Sequence, residues 1–396
     1  MSAFSRRGFL KALAVATGAA AGTRLAGGSF VGNAFAATEP TSVVMIHFVG
    51  GYNALWSSAA SLVGNFGVTA GNFTDLGNGV SMDNVLANAL SPFVRQHVAT
   101  IGVNHGQSSH PGARRALWAN GASKCYGHEL AAAIGGSSPN KALIAGAQDL
   151  KGDRPEAATN GIAFQRVLDM KTYLDSIGAA GPGPRDPDRT ITLAGVGGAE
   201  KMSKNVLDAS PSSLLGLRQG YTDAVATLKQ PPASFDLPSL QTAYGLGAAS
   251  NVSSFSSKMA AAELFVRTGT NVVSIFQPGW DSHGDNNGNE VRTLMTPIAA
   301  PLKTFLDRMV TADATRNVVV CLMGDFARSL PGSNHQPNLS ATVIGKYVQR
   351  GSTGRVNADV AVPAGTPGST ALWAYLAAAA KTPTAPFGTN PHNLVL

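Results

Sequence analysis

The sequence predicts an α/β fold, a three-layer α/β/α sandwich with a mostly parallel central sheet and long loop excursions. Three observations predict it. Four short runs rich in β-branched residues are almost continuously apolar, as strands covered on both faces must be. Two of these runs flank a stretch whose apolar residues recur at three and four. Polar residues gather directly after each run, where an open parallel sheet keeps its chemistry.

The runs are SVVMIHFV at 42–49, VATIGV at 98–103, NVVSIF at 271–276 and NVVVCLM at 317–323. Between the last two, NEVRTLMTPIAAPLKTFLDRM at 289–309 has helical periodicity, so strand, helix and strand follow one another and a parallel crossover is expected. A helix over 252–268 contains KMAAAELFVRTG and feeds the third run, with Gly269 as its stop. ALWAYLAAAAK at 371–381 predicts a further helix. Residues 120–190 and 230–250, rich in Gly, Pro, Ser and Ala with weak periodicity, read as excursions over the active edge of the sheet and not as separate domains.

The first 36 residues read as an export signal. SRRGFLK at 5–11 is a twin-arginine motif, followed by an Ala-rich apolar run and the small-residue site Ala34-Phe35-Ala36. Cleavage after Ala36 leaves 37–396 as a single domain. The twin-arginine translocase is then the expected partner during export, and the periplasm or cell exterior the expected location. That route carries folded cargo, which is compatible with a metal loaded beforehand. No apolar run in the remainder approaches the ~20 residues that span a bilayer.

The formal charge of +7 overstates the basicity of the mature chain. Arg6, Arg7, Lys11 and Arg24 leave with the signal and no acid leaves with them, so +3 remains. With no Lys/Arg stripe interleaved with aromatics, no nucleic-acid partner is expected. Cys125 and Cys321 are the only cysteines, and Cys321 lies inside an apolar run, so a disulfide framework is not expected.

Candidate chemistry sits after the strands. QPGWDSHGD at 277–285 places Asp281 and His283 two apart, able to give an oxygen and a nitrogen to one cation or to act as a base with its orienting carboxylate. The same pair could instead tie down a Gly- and Asn-rich loop, with Asp285 as turn or cap. Gly50-Gly51-Tyr52-Asn53 follows the first run, NHGQSSHPGARRALW the second, and Gly324-Asp325-Phe326-Ala327-Arg328 and Asn334-His335 the last. Ser109 stands at an expected helix start, either as a nucleophile favoured by the unpaired N–H groups there or simply as the cap. His105 competes with His110 for any role nearby. His47, inside the first strand, reads as a core residue, and Arg114 and Arg115 read as solvated or as anion holders.

These motifs, taken in order, resemble the exported bacterial family known as domain of unknown function 1501, whose pattern runs G-G-x-D, R-S-H-F, D-T-H, S-E-F-G-R and D-H-G. The resemblance spans nearly the whole mature chain. It implies a fold similar to the alkaline phosphatase and sulfatase superfamily and a hydrolase of phosphate or sulfate esters, acting on an anionic small molecule or glycan ester. By resemblance, Asp281, His283 and His335 are metal ligands, with Asn53, Asp325 and Asn334 at further ligand positions of the pattern. Ser109 is the nucleophile, His110 a ligand or base, and Arg328 the residue that binds an anionic substrate oxygen. The expected cofactor is a divalent ion, zinc, calcium or magnesium. Asn53 and Asn334 stand where the pattern has acids, which removes two negative charges from the site. A single-metal centre is therefore expected in place of two, and a non-catalytic binding protein that kept the fold is the other expectation.

Overall fold

A computed structural model describes residues 39–64, 67–136, 138, 140–177, 188–208, 235–330, 334–354 and 361–396. The expected export signal at 1–36 lies outside the described residues. The strands β1 (Thr41–Phe48), β2 (Val98–Asn104), β3 (Ala142–Ala145), β4 (Gln165–Val167), β5 (Val272–Gln277), β6 (Asn317–Gly324), β7 (Asn338–Ile344) and β8 (Gly351–Ser352) make one eight-stranded sheet. Its order is β8-β2-β7-β6-β1-β5-β3-β4. The four apolar runs are β1, β2, β5 and β6. β1 lies between β5 and β6, parallel to both, with Val43 opposite Val272 on one side and Val319 on the other. All eight of its residues are buried, which is why no alternation is visible in its sequence. β7 alone runs antiparallel to its neighbours, β2 and β6.

Helices lie on both sides of this sheet: α1 (His110–Trp118), α2 (Tyr126–Ile134), α3 (Phe255–Arg267), α4 (Asn289–Met309) and α5 (Ser369–Ala379). α3 packs on α4, and α5 packs on α1 and α2. α3 starts later than 252 because the Ser254 hydroxyl accepts the Ser257 N–H and caps the first turn. It stops where Gly269 takes a φ of +95°. Where α3 meets α4, Glu263 is fully buried and accepts hydrogen bonds from Arg267 Nε (2.7 Å), Arg308 Nη2 (2.8 Å) and Tyr244 Oη (2.9 Å).

Residues 120–190 are not merely an excursion, since α2 and two sheet strands, β3 and β4, fall within them. ALIA and QRV are too short to outweigh the glycines and prolines around them when periodicity is read along the chain. The chain divides into two compact units. One comprises Ala36–Gly135, Asn140–Ser176 and Asp236–Leu396 and holds the whole sheet. In the other, the described stretch Asp188–Asp208 is helical. Among the described residues no helix is long and apolar enough to cross a membrane.

Candidate metal centre

The loops that leave β1, β5 and β6 are locked together by close backbone approach, and this places the polar residues. Gly50 has a φ of +119°, and a Cβ there would lie 2.5 Å from the Asp281 nitrogen. A Cβ on Gly51 would strike the Arg328 side chain, and one on Gly324 would strike the Gly51 carbonyl. Only glycine permits these passes. Trp280 donates its N–H to the Val49 carbonyl (3.2 Å) and packs its ring on Phe48 and Trp56, which anchors the residue before Asp281. Gly50→Ala is expected to cost at least about 2 kcal/mol, because left-handed strain and a backbone clash coincide. Urea denaturation checks this, and an unchanged midpoint would contradict the packing.

Three side chains from three loops converge at this edge. Ligand atoms of His110, Asp281 and His335 all lie within 4.8 Å of one another. His110 opens α1, Asp281 follows β5, and His335 precedes β7, whose reversed direction brings its amino end to the edge where its neighbours end. Atoms ligating one tetrahedral zinc ion at ~2.1 Å sit about 3.4 Å apart. The widest pair of the trio therefore has to close by no more than roughly 1.5 Å.

Each imidazole is oriented by what its other nitrogen does. His335 Nδ1 lies 2.8 Å from the Ser108 carbonyl, an acceptor only, so Nδ1 carries the proton and Nε2 the lone pair. Burial, together with the positive charge of Arg328, holds the His335 pKa below the usual imidazole value. His110 Nδ1 lies 2.6 Å from Asp325 Oδ2, and its Nε2 lies 3.8 Å from Asp281 Oδ2. Burial would raise the Asp325 pKa, but hydrogen bonds from His110 and His47 and the charge of Arg114 outweigh it and hold the carboxylate well below its ordinary range. With His110 Nδ1 as donor, its Nε2 lone pair faces a carboxylate oxygen. Such a pair is stabilised by a cation between them.

The other expected residues take different places. His283 is half exposed and its Nδ1 lies 2.5 Å from Asp281 Oδ1, so it neighbours the trio without joining it. Asp325 is fully buried, bonded at Oδ1 to His47 and at Oδ2 to His110 and to the Gly50 N–H (3.2 Å), so it braces His110 from behind. Arg328 is 1% exposed. Its Nε donates to the Gly50 carbonyl (2.8 Å) and its Nη2 to the same oxygen and to Asp281 Oδ1, so its fork grips the loop and Asp281 instead of opening to solvent.

Asn53 caps a short 3-10 turn, accepting the Leu55 N–H at 3.0 Å. Asn334 is exposed, and its N–H bonds the Ser329 hydroxyl at 2.9 Å. Ser109 is the N-cap residue of α1, but its exposed hydroxyl makes no capping bond and lies beside Gly112. His105 Nδ1 accepts the Gln107 N–H (3.2 Å). Arg114 reaches two carboxylates, Asp153 (2.7 Å) and Asp325 (3.4 Å). Asp285 takes the turn role, accepting the Asn287 N–H at 3.3 Å, and its other oxygen accepts the Val291 N–H of the first turn of α4 at 3.1 Å, while Gly288 holds the N-cap position. His47 and Trp118 were hidden among apolar residues, and neither carries a sequence signal of a polar role.

Residues 208–355 match the model of a family described as "Protein of unknown function (DUF1501)". The matched stretch contains Asp281, His283, Asp325, Arg328 and His335, while His110 lies before it. No curated protein matches the chain. Among solved structures, the PH0037 protein from Pyrococcus horikoshii is similar at 10% identity and a TM-score of 0.29, over 87% of this chain and 98% of that one.

Proposed function

We propose that the protein binds one divalent cation through His110, Asp281 and His335 and is a metal-dependent hydrolase of phosphate or sulfate esters. The observation that carries the reading is the convergence of two imidazoles on one carboxylate, each with its Nδ1 already bonded to an acceptor; His110 Nε2 lies 3.8 Å from Asp281 Oδ2, and His335 Nε2 lies 3.5 Å from Arg328 Nη2. Two nitrogens and one oxygen suit zinc, whereas calcium and magnesium prefer oxygen donors throughout. Three protein ligands also leave a coordination position open, as catalytic zinc sites do. A bound cation supplies Lewis acidity to an ester oxygen.

In this reading the chain's own groups do the rest. Arg328 and His283 hold Asp281 through Oδ1, leaving Oδ2 toward His110. Ser109 is the proposed nucleophile, with an exposed hydroxyl at the amino end of α1, where backbone N–H groups favour an anion. The fold similarity to the alkaline phosphatase and sulfatase superfamily, and export by the twin-arginine route to the periplasm or cell exterior, belong to the same proposal. The motif SRRGFLK and the site Ala34-Phe35-Ala36 support the latter.

Metal analysis of the purified protein, followed by a screen of aryl phosphate and aryl sulfate esters, tests the reading. One zinc per chain and turnover lost in Asp281→Asn are expected. Zinc bound without turnover of either ester class would favour a second reading, a binding protein that kept the site's frame. The position of the Ser109 hydroxyl beside Gly112 and the structural use of Asn53 are the observations on its side.

A further inference from the structure

We propose that Trp118 and His47 are positioning residues for His110, holding in place the Asp325 carboxylate that fixes which of its nitrogens faces the site. The proposal rests on His110 being a ligand, but the chain of hydrogen bonds behind it stands independently. An indole N–H only donates, and Trp118 Nε1 lies 3.2 Å from His47 Nδ1. His47 Nδ1 must therefore accept, so the single proton of a neutral ring sits on Nε2. That nitrogen donates to Asp325 Oδ1 at 2.7 Å. With Oδ1 accepting from one histidine, the buried carboxylate accepts from a second at Oδ2, where His110 Nδ1 lies at 2.6 Å. The indole fixes His47 Nδ1 as an acceptor, and the ionised Asp325 carboxylate, which only accepts, fixes His47 Nε2 and His110 Nδ1 as donors.

The two ends of the series belong to one helix. His110 is the first residue of α1 and Trp118 the last, about 12 Å apart at 1.5 Å per residue. The path from His110 along α1 to Trp118, across to His47 on β1, to Asp325 after β6 and back to His110 is a closed ring. Trp118, His47 and Asp325 are fully buried, so no water competes for these bonds. A rigid helix spanning the ring means that His110 cannot rotate without breaking its bond to Asp325. Outer partners of a ligating histidine typically govern ~10–100-fold in metal affinity.

The test reads imidazole tautomers in the isotopically labelled, metal-free protein by proton–nitrogen correlation spectra, and zinc affinity by competition with a chelator. The expected pattern is a proton on Nδ1 of His110 and on Nε2 of His47. Trp118→Phe keeps a ring and removes the donor, freeing His47 and with it Asp325 to shift, and is expected to move the His110 Nδ1–H resonance and to weaken zinc about 10-fold. His47→Gln retains an N–H for Asp325 and an oxygen for Trp118, so its affinity should stay within about 3-fold of wild type while His47→Leu loses ~10-fold or more. A proton on Nε2 of His110 in the metal-free wild type overturns the proposal. So does Trp118→Phe with an unchanged His110 Nδ1–H resonance and unchanged affinity. Absence of zinc binding in the wild type would sink the metal reading alone, and the tautomer spectra would still decide this one.

Discussion

Replacing His335 with alanine is expected to weaken zinc binding by more than about 100-fold, because a three-ligand site that loses one nitrogen retains too few donors to hold the ion against water. His110→Ala should do the same. His283→Ala should cost only about 10-fold, since His283 steadies Asp281 through Oδ1 and stands outside the trio. The ordering separates the geometry from the sequence pattern, which set His283 among the ligands. Isothermal titration with zinc on the three variants and the wild type decides it. A larger loss in His283→Ala than in His110→Ala would mean that the ion sits on the other side of Asp281.

Arg308→Ala is expected to destabilise the fold by about 3 kcal/mol near neutral pH, since it removes a principal partner of a buried carboxylate. Burial would raise the Glu263 pKa, but hydrogen bonds from Arg308, Arg267 and Tyr244 outweigh it and hold it below the ordinary glutamate value. A folded pKa below the unfolded one contributes stability above the unfolded pKa, and that contribution is lost as pH falls through the folded value. The destabilisation by Arg308→Ala should therefore be full above about pH 5 and shrink in acid, as Glu263 protonates in both proteins. Urea denaturation across that range measures it. A pH-independent loss would place the effect in packing of the arginine stem instead.

The central strands and α4 were legible because burial on both faces and helical periodicity are written locally, in runs of six residues or more. β7, NLSATVI, was not recognised even though all seven of its residues are buried. Serine, threonine and asparagine interrupt its apolar run, and its place between β2 and β6 is set by long-range pairing that local pattern does not encode. At the site, Asp281, His110 and His335 were legible as polar residues at strand ends. The roles of Asp325 and Arg328 were not, because position alone does not distinguish a side chain that meets a ligand from one that braces its neighbour. His47 reads as a core residue and is one, fully buried with both ring nitrogens bonded, but an apolar strand does not reveal that its partner is Asp325.

The reversed strand also has a consequence in time. His335 reaches Ser108 across 227 residues of chain, and it arrives only when β7 has been threaded between β2 and β6. Non-local pairing of that kind forms slowly, after the closure entropy of long loops has been met. The trio of proposed ligands is thus complete only in the finished sheet, and a partly folded chain would offer an ion at most two of the three. An ion that binds the native state alone adds its free energy wholly to that state. Zinc should accordingly slow unfolding of the entire sheet and leave the early steps of folding untouched.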